Sequence, residues 1–339
     1  AEAIAHALKD EGLARNVAYV EPFAEADDVG FDHQNVRGVH VFRGSGVPPS
    51  GNHSVATVVA RHAELDRPIL LNCGATPANW WMHYEFAPVC SSEVLVLHDR
   101  FDQVADLAVG AQSLRDVRAL LARGADAVCG LSEGSIADLP GATYVGHGVD
   151  AHWANATDLT ALEPPELAAI PHPRAVYVGA LSMRIDVPAV RALARSGIHV
   201  VLIGFAPTPD LENAIAVEPN VHFLGPRRPE DTIGPLLHAD VGIIPHTDEP
   251  FTHSMEPHKA YNYAAAGLRT VTLNTTTAPI LGPVVDATTT SDGFVAAVHA
   301  AVALGRLPAA DVQRVRGITW ATVAEQLLAV GEAVRRDPA

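Results

Sequence analysis

Glu249-Pro-Phe-Thr-His-Ser-Met-Glu-Pro-His-Lys259-Ala-Tyr-Asn262-Tyr-Ala-Ala-Ala-Gly267-Leu-Arg-Thr-Val-Thr-Leu273 is the stretch around which the rest of the chain is read. A polar loop carrying Ser254, Glu256, His258 and Lys259 runs into an Ala-rich segment with Tyr261, Tyr263 and Leu268, a pattern that predicts a short helix. Gly267 should stop that helix, and Thr270 to Leu273 should resume as a buried strand. Pro257 just ahead of the helix leaves backbone N–H groups unpaired at its start, which together with the macrodipole attract anions. Lys259 adds a mobile positive charge there. Asn262, one turn later on the same face, offers a donor and an acceptor to a hydroxyl-bearing ligand. A capped core helix would account for the alanines, but Lys, Asn and Gly at these offsets exceed what packing needs.

The whole chain bounds the reading. Its 339 residues suit two domains of ordinary size, each able to bury a core. Thirty-nine acidic against 23 basic side chains leave a net charge of −16, which argues against nucleic acid as a partner, because phosphate backbones require clustered Lys and Arg. Cys73, Cys90 and Cys129 are unclustered in apolar surroundings and read as reduced core thiols of a cytoplasmic protein. No run of eighteen apolar residues occurs, so no membrane span is expected, with peripheral association left open. His253 and His258 lack a third partner at metal-ligand spacing, so no metal is expected. Ala1 to Leu13 reads as a helix and Val17 to Val20 as a strand.

Outward from the opening stretch, strands and helices alternate. Val36 to Phe42 reads as a strand after the polar segment Glu21 to Asn35, and Ser54 to Leu65 as a helix. Arg67 to Cys73 and Glu93 to Leu97 are apolar runs of the kind buried on both faces of a parallel sheet. The second of these runs directly into His98 and Asp99, and charged residues just past such a strand sit where open sheets bind ligands. A helix is expected from about Gln103 to Arg123, with Asp102 its better cap. Ala156 to Arg174 has four prolines and reads as a linker. Beyond it come strands at Ala175 to Gly179, His199 to Gly204, Glu218 to Gly225 and Asp240 to Pro245. Helices are expected from Asp186 to Ser196, Pro229 to Leu237, Asp292 to Leu304 and Ala309 to Arg314, with a last amphipathic segment from Trp320 to Arg335.

Pro257-x-Lys259-x-x-Asn262-Tyr263-x-Ala265-x-Gly267-x-x-x-Val271 resembles the nucleotide-sugar motif of the GT-B fold glycosyltransferases, of the glycosyltransferase group 1 and xanthan glucuronosyltransferase-like kind, whose usual text is Pro-x-Lys-x-x-Glu-Tyr-x-Ala-x-Gly-x-Pro-Val-Val. Asn262 stands at the Glu position and Arg269-Thr270 at the usual Pro-Val; the xanthan-type enzymes are similar in having an amide there. Ser254 occupies the place of the acidic residue that retaining enzymes carry eight positions earlier. Thr143-Tyr-Val-Gly-His147-Gly-Val-Asp150 is similar to the family's Val-x-Asn-Gly-Val-Asp signature, and Glu218-Pro-Asn-Val-His-Phe-Leu-Gly225 to its Asn-Val-x-Phe-x-Gly strand.

The resemblance implies an α/β chain of two facing Rossmann-like domains with a C-terminal helix crossing back to the first. That architecture would begin with a strand and a Gly-rich turn, so a first strand is expected ahead of residue 1. The expected bounds are an N-terminal acceptor domain at 1–157, a linker at 158–174, a nucleotide-sugar domain at 175–318 and the returning helix at 319–336. It implies transfer of a sugar from a nucleoside diphosphate sugar, of UDP type, to a sugar, lipid-linked sugar or small-molecule acceptor, with the donor as co-substrate and no cofactor. Lys259, Arg184 and Gly179 would face the diphosphate, Asn262 the ribose, and Arg227 the base; Ser254, Met255, Glu256, Pro257 and His258 would complete the donor loop. Asp99 matches the base proposed for the inverting xanthan-type enzymes, with His98 beside the acceptor. The aromatic run Asn79 to Phe86 reads either as core packing or, through Trp80 and Trp81, as a wall on which an acceptor sugar stacks. A retaining transferase, an epimerase or hydrolase, and a donor-binding protein without turnover are the other readings of the same fold.

Overall fold

The computed structural model of the chain describes residues 2–10, 12–14, 17–24, 30–36, 39–45, 63–98, 100, 103, 111–154, 161–205, 209, 212–213 and 217–337. It divides into two compact units. The first comprises residues 1–147 and 320–339, the second residues 148–319. The segment expected as a linker lies within the second unit, where Leu167 and Ile170 enter the core.

The second unit is built on six strands: β8 (Arg174–Val178), β9 (His199–Ile203), β10 (Val221–Phe223), β11 (Val241–Pro245), β12 (Thr270–Leu273) and β13 (Val285–Thr288). All pair in parallel, in the order β10-β9-β8-β11-β12-β13. β11 and β12 are buried at every residue, and β11 accordingly reads as a continuous apolar run, Val-Gly-Ile-Ile-Pro. Counted from β8, the order is 3-2-1-4-5-6, the doubly wound arrangement. The winding reverses between β8 and β11, and the carboxyl ends of those two strands border a crevice.

Helices cover both faces of this sheet. On one face Val187–Arg195 begins at Asp186, whose carboxylate accepts from the Ala189 amide at 2.8 Å. Its Val190 and Leu193 pack with Val200, Leu202, Ile243 and with Phe294 and Val298 of the helix Ser291–Leu304. On the other face Tyr261, Tyr263 and Ala264 of the helix Lys259–Ala265 pack with Val176, Ile244 and Trp153. Each fully buried Val, Leu or Phe contributes about 1.5–3 kcal/mol, and the two clusters make this sheet a rigid platform for the loops at its edge.

In the first unit a four-stranded parallel sheet has the order β4 (Ile69–Cys73), β5 (Ser92–Leu97), β6 (Ala127–Gly130), β7 (Thr143–Tyr144). A second sheet has the order β1-β3-β2, with β1 (Ala18–Ala24) parallel and β2 (Gly30–Val36) antiparallel to β3 (Val39–Ser45). The chain returns to this unit at its end. Val323, Ala324 and Leu327 of the helix Trp320–Ala333 share a core with Val94, Val96, Cys129, Ile4 and Leu8. Beyond the helix, Arg336 donates to Asp126 at 2.7 and 3.0 Å and to the Ala87 carbonyl at 3.1 Å. Burial alone would raise the Asp126 carboxyl, but the hydrogen bonds from Arg336 and from the Glu93 amide, with the guanidinium charge, hold it below its ordinary value.

Several elements depart from the sequence reading, among them the helical turn Pro165–Ala168 in the segment read as a linker. β2 lies in the segment read as polar loop, and β13 in the Thr-rich segment after β12; both are edge strands, where one neighbour suffices and apolar alternation is not required. The polar loop after β11 contains a single helical turn, Pro250–His253, too short for a period to show. The helix expected at Ser54 to Leu65 lies largely outside the described residues, as does the start of the one expected from Gln103, of which Ala111–Gly124 is described. Among the described residues no single helix is long and apolar enough to cross a membrane.

Candidate functional site

At the point where the winding reverses, the chain leaves β8 through Gly179 and leaves β9 through Gly204. Both have positive φ, +148° and +153°. A Cβ on Gly204 would stand 1.8 Å from the Gly179 carbonyl oxygen, so the two loops pass closer than any side chain allows. A Cβ on Gly179 would stand 2.9 Å from Lys259 Nζ. The bare backbone of Gly179 therefore lies directly against the ammonium group. Gly204→Ala should destabilise the second unit by about 1–3 kcal/mol or more, read as a lowered midpoint in denaturant unfolding, because strain of that order accompanies a forced backbone and here a carbonyl must also move.

Lys259 is held in place. Its Nζ donates to the Tyr177 hydroxyl at 2.8 Å and leans over that ring, 4.1 Å from its centroid. Tyr177 comes from β8, so the cation is tied to the strand that ends at Gly179. The helix bearing Lys259 is fastened to the same strand, since Tyr263 Oη accepts from the Val178 amide at 2.6 Å. Tyr263 fits because Gly242 on β11 has no Cβ, which would otherwise lie 2.4 Å from the tyrosine ring. Arg184 supplies a second cation. Its Nε donates to Ser182 Oγ at 3.1 Å, one Nη lies 3.9 Å from the Met255 thioether, and the guanidinium carbon lies 5.7 Å from the centre of the Phe251 ring.

The remaining residues of the expected donor loop divide by what they touch. Glu256 is buried and accepts from the Tyr261 hydroxyl of the following helix at 2.7 Å, and Ser254 donates to the Phe251 carbonyl at 2.8 Å. The Met255 carbonyl accepts from the amide and hydroxyl of Thr276 at 3.0 and 2.7 Å, joining this loop to the one after β12. Pro257 and His258 accept from the amides of Ala260 and Tyr261 at 3.0 Å each. Those two bonds take up amides at the start of the seven-residue helix, so it offers fewer open N–H groups than its sequence promises. His258 Nε2 lies 2.9 Å from the Gly148 carbonyl. Asn262 donates to an Asp150 carboxylate oxygen at 2.6 Å and accepts from the Asp150 amide at 3.2 Å. One N–H and one lone pair of that amide are left over from this pairing. Arg227 forms an ion pair with Glu166 at 2.7 Å.

His246, directly after β11, escapes the sequence reading because a lone histidine after an apolar strand has no motif around it. It is 1 % exposed, and both ring nitrogens lack a hydrogen-bond partner. Burial, then the positive charges of Lys259 and Arg184, push it well below the ordinary histidine range, so the imidazole is neutral. Size does not locate this site: a cavity of about 700 Å³ lies in the first unit, lined chiefly by aliphatic side chains such as Ile4, Leu8, Ile69, Leu71, Met82 and Leu328.

Of the residues expected to meet an acceptor, Trp80 is 37 % exposed and stacks on His83 with centroids 5.3 Å apart, whereas Trp81 packs edge-on against Phe86 at 6.1 Å. Their helix, Pro77–Phe86, is anchored on the fully buried Glu93 of β5. Glu93 accepts from Asn72 at 2.9 Å and contacts His83, and Asn79 donates to Asn72 at 3.0 Å. His98 is partly buried at the end of β5; Asp99 lies outside the described residues.

No family model matches the sequence, and no curated protein matches it. Solved structures do. Over 98 % of this chain and 97 % of the other, it is similar to a UDP-forming α,α-trehalose-phosphate synthase from Burkholderia xenovorans, with a TM-score of 0.68 at 11 % identity. A structure of that type of enzyme from the same organism, in complex with glucose-6-phosphate, is similar over 93 % and 92 % of the two chains, with a TM-score of 0.63 at 11 % identity. Anabaena Alr3699/HepE in complex with UDP-glucose is similar over 87 % and 86 %, with a TM-score of 0.61 at 16 % identity. With its two parallel sheets, the switch point at β8 and β11 and the last helix on the first unit, this chain has the α/β fold of the GT-B glycosyltransferases.

Proposed function

We propose that the chain is a glycosyltransferase that moves a sugar from a nucleoside diphosphate sugar, of UDP type, to an acceptor hydroxyl. The observation that carries this reading is Lys259 set against the close-approach glycine Gly179 at the switch point of the sheet, with Arg184 a second cation acting with it on the buried His246. A diphosphate is doubly anionic and bulky. It needs positive charge held in place and backbone without side chains to approach, and both are present here.

The chemistry follows from the same groups. When the bond from the sugar to the diphosphate breaks, negative charge accumulates on the leaving oxygen. Lys259, braced by Tyr177, and Arg184, braced by Ser182, need no rearrangement to meet it. UDP-glucose in the HepE structure and the UDP-forming reaction named for the Burkholderia enzyme support a UDP donor. Asp99 is the base in this reading, which makes the transfer inverting: it takes the proton of the acceptor hydroxyl as that oxygen attacks the anomeric carbon.

Thermal unfolding tests the donor assignment. UDP, GDP and dTDP, each with its glucose conjugate, should separate, with one nucleotide raising the melting temperature. A ligand at a hundred times its Kd adds about 2.7 kcal/mol to stability if it binds the native state alone. No shift with any of the six would sink the reading. Release of free nucleotide only when an acceptor is supplied would set transfer apart from hydrolysis and epimerisation.

A further inference from the structure

A buried neutral imidazole has one N–H to donate and one lone pair to fill, and in His246 neither is used. The backbone there is firmly placed. The His246 amide donates to the Ile244 carbonyl at 3.1 Å, its own carbonyl accepts from Asn274 at 3.1 Å, and the residue bridges to Ile185. The ring lies 6.4 Å from that of Tyr177, whose hydroxyl holds Lys259. Neither Lys259 nor Arg184 accepts a hydrogen bond, so neither satisfies the imidazole N–H.

Other orphaned atoms occur on the same loops. Thr247 Oγ1, next in sequence, and Thr275 Oγ1 and Thr277 Oγ1, on the loop after β12, are buried without partners. β11 and β12 are paired neighbours, Pro245 opposite Leu273, so these loops leave the sheet side by side. Each buried polar group left unpaired costs about 1–3 kcal/mol, a penalty that a polar ligand or a water hydrogen-bonded there removes. A bare phosphate at neutral pH chiefly accepts and leaves the second imidazole nitrogen empty. Hydroxyl groups both donate and accept.

We propose that His246 recognises the sugar of a nucleotide sugar, one ring nitrogen accepting from a sugar hydroxyl while the other donates to a ligand oxygen. This rests on the donor reading above and deepens it. Thr247, Thr275 and Thr277, on the loops that leave the paired strands β11 and β12, add hydroxyls of the same unpaired kind, which suit a hydroxylated ring better than an apolar group.

Calorimetry with the nucleotide diphosphates UDP, GDP and dTDP and their glucose conjugates tests it. The wild type should bind one glucose conjugate more tightly than the matching bare nucleotide. In His246→Phe that preference should fall by about tenfold, the loss expected when buried hydrogen bonds to ligand are removed, while affinity for the bare nucleotide holds. Because the substitution also removes two orphaned ring atoms, the ligand-free variant should melt no lower than the wild type; a merely structural histidine would give a drop. His246→Leu carries the same test should the phenyl ring not be accommodated.

An unchanged preference with intact nucleotide binding would overturn the role of His246 and leave the donor reading standing. Equal losses for nucleotide and conjugate would also overturn it, by moving His246 to the diphosphate. A wild type that binds none of the six would remove both readings together.

Discussion

Asp99→Asn is expected to lower turnover by roughly 10²–10⁴ while leaving nucleotide affinity almost unchanged. The substitution keeps the size and most of the hydrogen bonding of the side chain and removes only its basicity. The motive is its place in the chain. β5, a strand of a parallel sheet, is buried along its whole length and ends at Leu97; in the sequence Asp99 follows two positions later, and charged residues just past such a strand end are placed to meet ligand. Steady-state kinetics with an acceptor, set beside calorimetry with UDP, separates the two quantities. Near-wild-type turnover would remove Asp99 from the chemistry. A product with the donor's own anomeric configuration by NMR would rule out inversion, whatever the variant does.

Lys259→Ala should weaken nucleoside diphosphate binding roughly 10–100-fold, since a hydrogen bond to a charged group is worth about 1.5–3 kcal/mol. The structure sharpens this expectation. Lys259 Nζ rests on the Tyr177 hydroxyl and against the bare backbone of Gly179, so its loss leaves Arg184 the remaining cation beside His246 in that group. Lys259→Arg keeps the charge in a planar, bulkier group and should retain part of the affinity. Equal affinities for wild type and the alanine variant in calorimetry would take the diphosphate away from Gly179.

Much of the site was legible in residues 257–273. The helix, its stop at Gly267 with φ +85° and the strand Thr270–Leu273 all appear where the local pattern put them. What stayed hidden was the use of individual polar groups. Asn262 reads as a ligand-facing amide, yet it meets Asp150, 112 residues earlier. Glu256 and Ser254 read as donor-loop residues, and the structure shows them bonded to Tyr261 of the following helix and to Phe251 of the preceding turn. Arg227 pairs with Glu166 from the segment read as linker. Each polar side chain takes the partner the fold brings nearest, and spacing along the chain does not list those partners.

By itself, the sequence determined that this is an α/β chain and singled out Lys259 at a helix start as its candidate ligand-binding cation. Apolar runs buried on both faces, glycine stops and a cation at a helix start are local properties, carried by neighbouring residues. Only the tertiary structure decided the strand order 3-2-1-4-5-6, and with it which loops share the crevice. That order sets Gly179 of the β8 loop against Lys259, which lies 80 positions further on, and leaves His246 buried with two unmet ring nitrogens. Strand pairing is a contact between distant segments, and the free energy that selects it comes from burying both faces of the sheet at once, a property of the packed whole and of no single segment.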